Sequence, residues 1–97
     1  MSPVGAPAAV CIMEEVIAMG ARHFVYFGSC GVLQRDIAEG HFVVSTSAVR
    51  DEGTSYHYLP GADEIELDRA CVRAVVDALE SIGFPYMAAK TWTTDAI

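Results

Sequence analysis

The run Phe24-Val25-Tyr26-Phe27-Gly28-Ser29-Cys30-Gly31 constrains this chain more than any other stretch. An apolar, aromatic segment of strand character stops abruptly at Gly-Ser-Cys-Gly. Such residues pack a sheet, and two glycines three apart let the backbone turn sharply and approach a ligand closely. In an open parallel sheet, ligands bind just past the carboxyl ends of strands. The loop is therefore where small-molecule chemistry is expected, and its N–H groups with the Ser29 hydroxyl suit an oxyanion. A tight structural turn accounts for the same residues. Residue types alone favour that plainer reading, because four residues fall well short of a full phosphate-binding loop.

The flanking sequence supplies the elements around this loop. Pro7 suits the first turn of a helix, and Ala9, Val10, Ile12, Met13, Val16 and Ile17 follow at three-to-four spacing. Gly20 is a natural stop, so a mostly apolar, buried helix is expected over about Pro7 to Met19. A strand is expected at His23 to Phe27, and a second at His41 to Thr46 after a polar turn over Arg35 to Gly40. Arg50 to Gly61 reads as a polar loop. A second helix is expected over Leu67 to Ile82, with Leu67, Ala70, Cys71, Ala74, Val75, Ala78, Leu79 and Ile82 as its apolar stripe. Gly83 and Pro85 end it, and a last strand covers Tyr86 to Thr93. Alternation of this kind predicts an α/β fold with a mixed or largely parallel sheet flanked by helices, as one domain over residues 1–97.

Composition narrows the partners. The chain is 53% hydrophobic over 97 residues, and its mean hydropathy is +0.32. A domain this short buries only about 60–70% of the surface its unfolded form exposes. So much apolar material implies a face that meets another subunit, or a place inside a larger fold. Thirteen acidic against 6 basic residues give a net charge of −7, which argues against nucleic acid and anionic membranes as partners. Cys11, Cys30 and Cys71 show no metal-ligand spacing, so no metal is expected and a reduced, cytoplasmic compartment is. The apolar N-terminal stretch lacks a basic flank and runs into Glu14-Glu15, which fits neither a signal peptide nor a membrane span.

Several segments taken together resemble one family. Gly5-Ala6-Pro7-Ala8-Ala9, the stretch from Glu14 to Ala21, and Gly28-Ser29-Cys30-Gly31 are similar to the nucleoside phosphorylases, most of all their uridine phosphorylase branch. Val49 to Tyr58 and Thr91 to Ala96 extend the likeness over nearly the whole chain, in order. The resemblance implies a partial phosphorylase-like α/β fold with a mixed central sheet, and assembly as a homo-oligomer. It implies phosphorolysis of uridine or a related nucleoside to free base and ribose 1-phosphate. Inorganic phosphate is then the co-substrate, and no other cofactor is implied. Carried over residue by residue, Gly28 and Ser29 fall where relatives contact phosphate and ribose, and Cys30 and Gly31 fall beside the base. Cys30 is then a wall of the base pocket rather than a nucleophile.

The departures from the family pattern are specific. Tyr26 occupies a position where many members carry a phosphate-binding arginine, and His41 stands where an acidic residue is usual. Family members are considerably longer, with further phosphate, ribose and base contacts in parts this sequence does not contain. Two other readings follow: a non-catalytic truncated or degenerate subunit, and a generic anion-binding α/β module. Among single residues, the plainer reading holds for Arg50 beside Asp51 and Glu52 as an ion-pair or turn residue, and for His57 as a surface residue. Asp95 is expected to bond backbone, and Trp92 to lie in a core or interface.

Overall fold

A computed structural model describes residues 4–37 and 42–96. Helix α1 (Ala6–Ala18) comes first, then strand β1 (Val43–Asp51) and one 3₁₀ turn (Ser55–His57). Strand β2 (Glu64–Glu66), helix α2 (Arg69–Ser81) and strand β3 (Met87–Thr94) complete the order. The sheet runs β2-β1-β3. Strand β1 pairs antiparallel with β2, Ala48 opposite Ile65, and parallel with β3, from Val43 opposite Met87 to Asp51 opposite Thr94. The chain is an α/β unit with a mixed sheet, as its alternation of elements implied.

The parallel pair carries most of the tertiary structure. Its register slips between Ser45 and Ser47, so Thr46 bulges out of the ladder. The bulge is put to use, because the Leu67 N–H donates to the Thr46 carbonyl at 3.0 Å and brings the chain into α2. Val44 of β1, only 6% exposed, is the buried apolar centre among the described residues. Lys90 on β3 reaches across to Glu64 on β2 at 2.6 Å.

Helix α2 shows why a stripe of small residues misleads. Asp68 caps it by accepting from the Cys71 N–H at 2.9 Å. Val72, Val75, Val76 and Leu79 are its half-buried side chains, at helical spacing, while Ala70, Cys71, Ala74 and Ala78 are exposed. The inward face is thus turned away from part of the expected stripe. Bulky side chains gain more from leaving water than alanines do, and they set the helix rotation. Gly83 ends the helix at φ +67°, where its N–H donates to Glu80 and the Phe84 N–H to Leu79.

Three expectations are corrected. Helix α1 has the expected extent, but none of its residues is buried. The expected strand His23 to Phe27 is not in the sheet: residues 21–33 run without regular structure, and Val25 and Phe27 are 82% and 74% exposed. A strand needs a neighbour to take its N–H and C=O groups, and among the described residues none is supplied there. The polar loop expected over Arg50 to Gly61 holds more structure than expected, since β1 continues to Asp51 and Ser55–His57 forms a 3₁₀ turn, and Glu64–Glu66 beyond it forms a strand that no expectation covered. His41 and the end of the expected polar turn lie outside the described residues.

Candidate functional site

The best-defined polar constellation lies just past the carboxyl end of β1. Arg50 is 7% exposed, which is rare for a guanidinium unless its donors are met. Its Nε donates to Ser55 Oγ and its Nη1 to the Pro60 carbonyl, both at 2.8 Å. The guanidinium carbon sits 4.3 Å from the centre of the Tyr56 ring, a cation–π contact. Nη2 is buried and has no hydrogen-bond partner among the described residues. The Tyr56 hydroxyl lies 3.1 Å from both the Arg50 and the Ala62 carbonyls, so a single O–H is shared between the two ends of the loop.

Ser55 passes this order on to a carboxylate. It accepts from Arg50, donates its own Oγ–H to Glu52, and donates its backbone N–H to Glu52 Oε2 at 2.8 Å. The Ser55 hydroxyl holds the Glu52 carboxyl below its usual range, and the Ser55 amide and the charge of Arg50 act in the same direction. Opposite, the Gly53 N–H donates to Asp95 Oδ2 at 3.0 Å, and the Asp95 N–H to the Asp51 carbonyl at 3.0 Å. Trp92 Nε1 donates to Asp51 Oδ2 at 3.1 Å, although the ring is 51% exposed. Residues 50–62 therefore form a braced turn, not a loose connector.

This turn makes one wall of a cleft of about 420 Å³. Gly53, Thr54, His57 and Tyr58 line that side, and Pro7, Val10 and Cys11 of α1 line the other. The Tyr58 hydroxyl donates to Glu14 Oε1 at 2.6 Å and ties the two walls together. That bond to a carboxylate pushes the Tyr58 phenol up from its ordinary value. A second cleft of about 430 Å³ lies between α2 and the sheet, lined by Thr46, Ser47, Leu67, Val72 and Val76 together with the charged Glu66, Arg69 and Arg73.

Gly28, Ser29, Cys30 and Gly31 sit together on the exposed stretch after α1. They line neither cleft. Asp95 bonds backbone, as its position suggested, and Arg50 acts as a turn clamp. Sequence reasoning missed the Glu14–Tyr58 tie and the Arg50–Ser55–Glu52 relay. The acidic residue three before Ser55 was a visible signal for the relay, whereas nothing local pointed from Tyr58 to Glu14.

A family model described as the phosphorylase superfamily matches residues 1–97. The chain belongs to the phosphorylase superfamily. It is 34% identical to a uridine phosphorylase of Thermococcus kodakarensis over 93 residues, 96% of this chain and 34% of that protein. A uridine phosphorylase of Salmonella typhimurium is 34% identical over 92 residues, 95% of this chain and 36% of that protein. A guanosine phosphorylase of Halorubrum lacusprofundi is 42% identical over 55 residues, 57% of this chain and 23% of that protein. The chain spans about a third of the length of the uridine phosphorylases it matches. In this superfamily member, no described helix is long and apolar enough to cross a membrane. Among the described residues no group of three or more His, Cys, Asp or Glu is placed to hold a metal ion.

Proposed function

We propose that this chain supplies part of the active site of a nucleoside phosphorylase acting on uridine or a related nucleoside. The observation that carries the reading is its 34% identity to uridine phosphorylases over nearly all of its residues. In the reaction a phosphate oxygen forms a bond to the anomeric carbon of ribose. The bond from that carbon to the base nitrogen breaks, and the base leaves with the electron pair. The protein's part is to position an anion and to stabilise an oxocarbenium-like sugar. Gly28 and Ser29 are the proposed phosphate and ribose contacts, and Cys30 and Gly31 the proposed walls of the base pocket. The same reading makes the protein a cytoplasmic homo-oligomer, in keeping with its exposed apolar surface.

A second reading, a non-catalytic subunit, is favoured by one position. Tyr26 offers a neutral hydroxyl where the resemblance places an arginine, and an arginine makes charge-assisted bonds about twice as strong. The test compares this chain with a longer protein carrying the same 97 residues within the full span of its relatives. Both are incubated with uridine or inosine, with and without phosphate, and base release is followed. Phosphate-dependent release by the longer protein, and far slower release by this chain, is the expected result. Release without phosphate would point to a hydrolase, and no release from the longer protein would favour the non-catalytic reading.

A further inference from the structure

We propose that the cleft between α1 and the turn after β1 binds an uncharged heterocyclic base, free or as its nucleoside, at a place separate from Gly28–Gly31. The volume of about 420 Å³ falls within the range of small-molecule sites. The cleft lies past the carboxyl end of β1, where ligands of parallel strands bind. Its lining divides by chemistry. Pro7 and Val10 present apolar surface from α1, and Tyr58 an aromatic ring from the turn. Thr54 and His57 offer a hydroxyl and an imidazole, each able to donate and to accept. No Lys, Arg, Asp or Glu is among the described residues that line it. An anion would find no Lys or Arg there, and the net charge of −7 would repel it. A ring with apolar faces and a polar edge matches both parts of the lining.

The walls are fixed before anything enters. The Tyr58 hydroxyl donates to Glu14 Oε1 at 2.6 Å and joins one wall to the other. The Gly53 N–H is held by Asp95 at 3.0 Å, and the Ser55 N–H by Glu52 at 2.8 Å. The Thr54 hydroxyl and the His57 imidazole take no part in these bonds. The bracing thus orders the turn while leaving those two groups for a ligand. Walls ordered in advance spare a ligand the entropy of ordering them. The class of ligand follows from the lining alone, whereas the choice of uracil and uridine as probes rests on the proposed reaction.

Nuclear magnetic resonance of the whole chain tests it, with the amide signals of Val10, Gly53 and Thr54 as reporters. Uracil or uridine should shift them saturably at millimolar concentration, and ribose and inorganic phosphate should not. A response to uracil assigns the free base as a ligand, and a response to uridine alone assigns the nucleoside. Thr54→Val and His57→Ala should each weaken binding by about tenfold, the effect of one lost hydrogen bond. Val10→Trp fills the cleft from the α1 side and should abolish binding, which keeps the test open if a turn variant does not fold. No saturable shift with either uracil or uridine would overturn the proposal. So would an equal response to ribose or phosphate, or binding that survives all three substitutions. Phosphorolysis by the longer protein is measured separately, so failure of the proposed reaction and failure of this site are told apart.

Discussion

Arg50 Nε donates to Ser55 Oγ at 2.8 Å, and through that hydroxyl a guanidinium that is 7% exposed meets the carboxylate of Glu52 without touching it. Serine is the smallest side chain that can accept on one side and donate on the other. Glu52 is half-buried beside this hydroxyl, and its charge partly offsets that of Arg50. The arrangement also fixes residues 52–58, and with them the wall of the cleft that faces α1.

Arg50→Gln should therefore destabilise the chain by about 2–4 kcal/mol, since two bonds from a charged donor are lost and their acceptors stay half-buried. Arg50→Lys should recover little, because an ammonium cannot serve Ser55, Pro60 and the Tyr56 face together. Denaturant midpoints for the two variants check both statements.

The carboxyls of Glu52 and Asp68 are both held below their usual range, by Ser55 and by the Cys71 amide. A carboxyl whose folded value lies below its unfolded value adds stability above the unfolded value. That stability is lost as pH falls through the folded one. Denaturant midpoints should fall as pH drops below the ordinary carboxyl range of about 4, and the fall should be shallower in Glu52→Gln with Asp68→Asn. Equal slopes in both proteins would count against the two bonds as the source.

Tyr58→Phe removes the tie between α1 and the turn after β1. Since α1 buries no residue, its amides should lose protection while those of β1 and β3 keep theirs. Hydrogen exchange read by mass spectrometry resolves the two regions.

Gly83 stands at φ +67°, and a Cβ there would meet no atom within 4 Å. Gly83→Ala should cost about 1–2 kcal/mol from backbone strain alone. A thermal midpoint unchanged from the parent would show that the helix ends in another way.

Three substitutions in the longer protein test the proposed phosphate and base contacts. Ser29→Ala should lower turnover by about tenfold to a thousandfold, as expected for one lost donor. Tyr26→Arg should lower the phosphate KM, by placing a cation where relatives are expected to have one. Cys30→Ser should leave substantial activity, and a loss beyond about a thousandfold would instead give the thiol a chemical role.

By itself the sequence determined what depends on neighbours in the chain. Asp68 and Gly83 bracket α2 because a cap and a stop act within one turn. Pro7 and Gly20 bracket α1 for the same reason, and β3 begins after Pro85, which keeps the helix from resuming. The resemblance in Gly28–Gly31 and along the chain was likewise a property of residue order, and the family followed from it. Tertiary structure decided what depends on a partner. Phe24–Phe27 has strand-forming residues yet lies outside the described sheet, because a strand is completed only by a neighbouring backbone. Glu64–Glu66 is a strand despite its charges, because β1 offers an edge on that side. Arg50 is buried although arginine is a surface residue by type, because Ser55, Tyr56 and Pro60 fold back over it. The face of α2 was settled by the sheet it packs on, which takes bulky valines before alanines because they remove more apolar area from water.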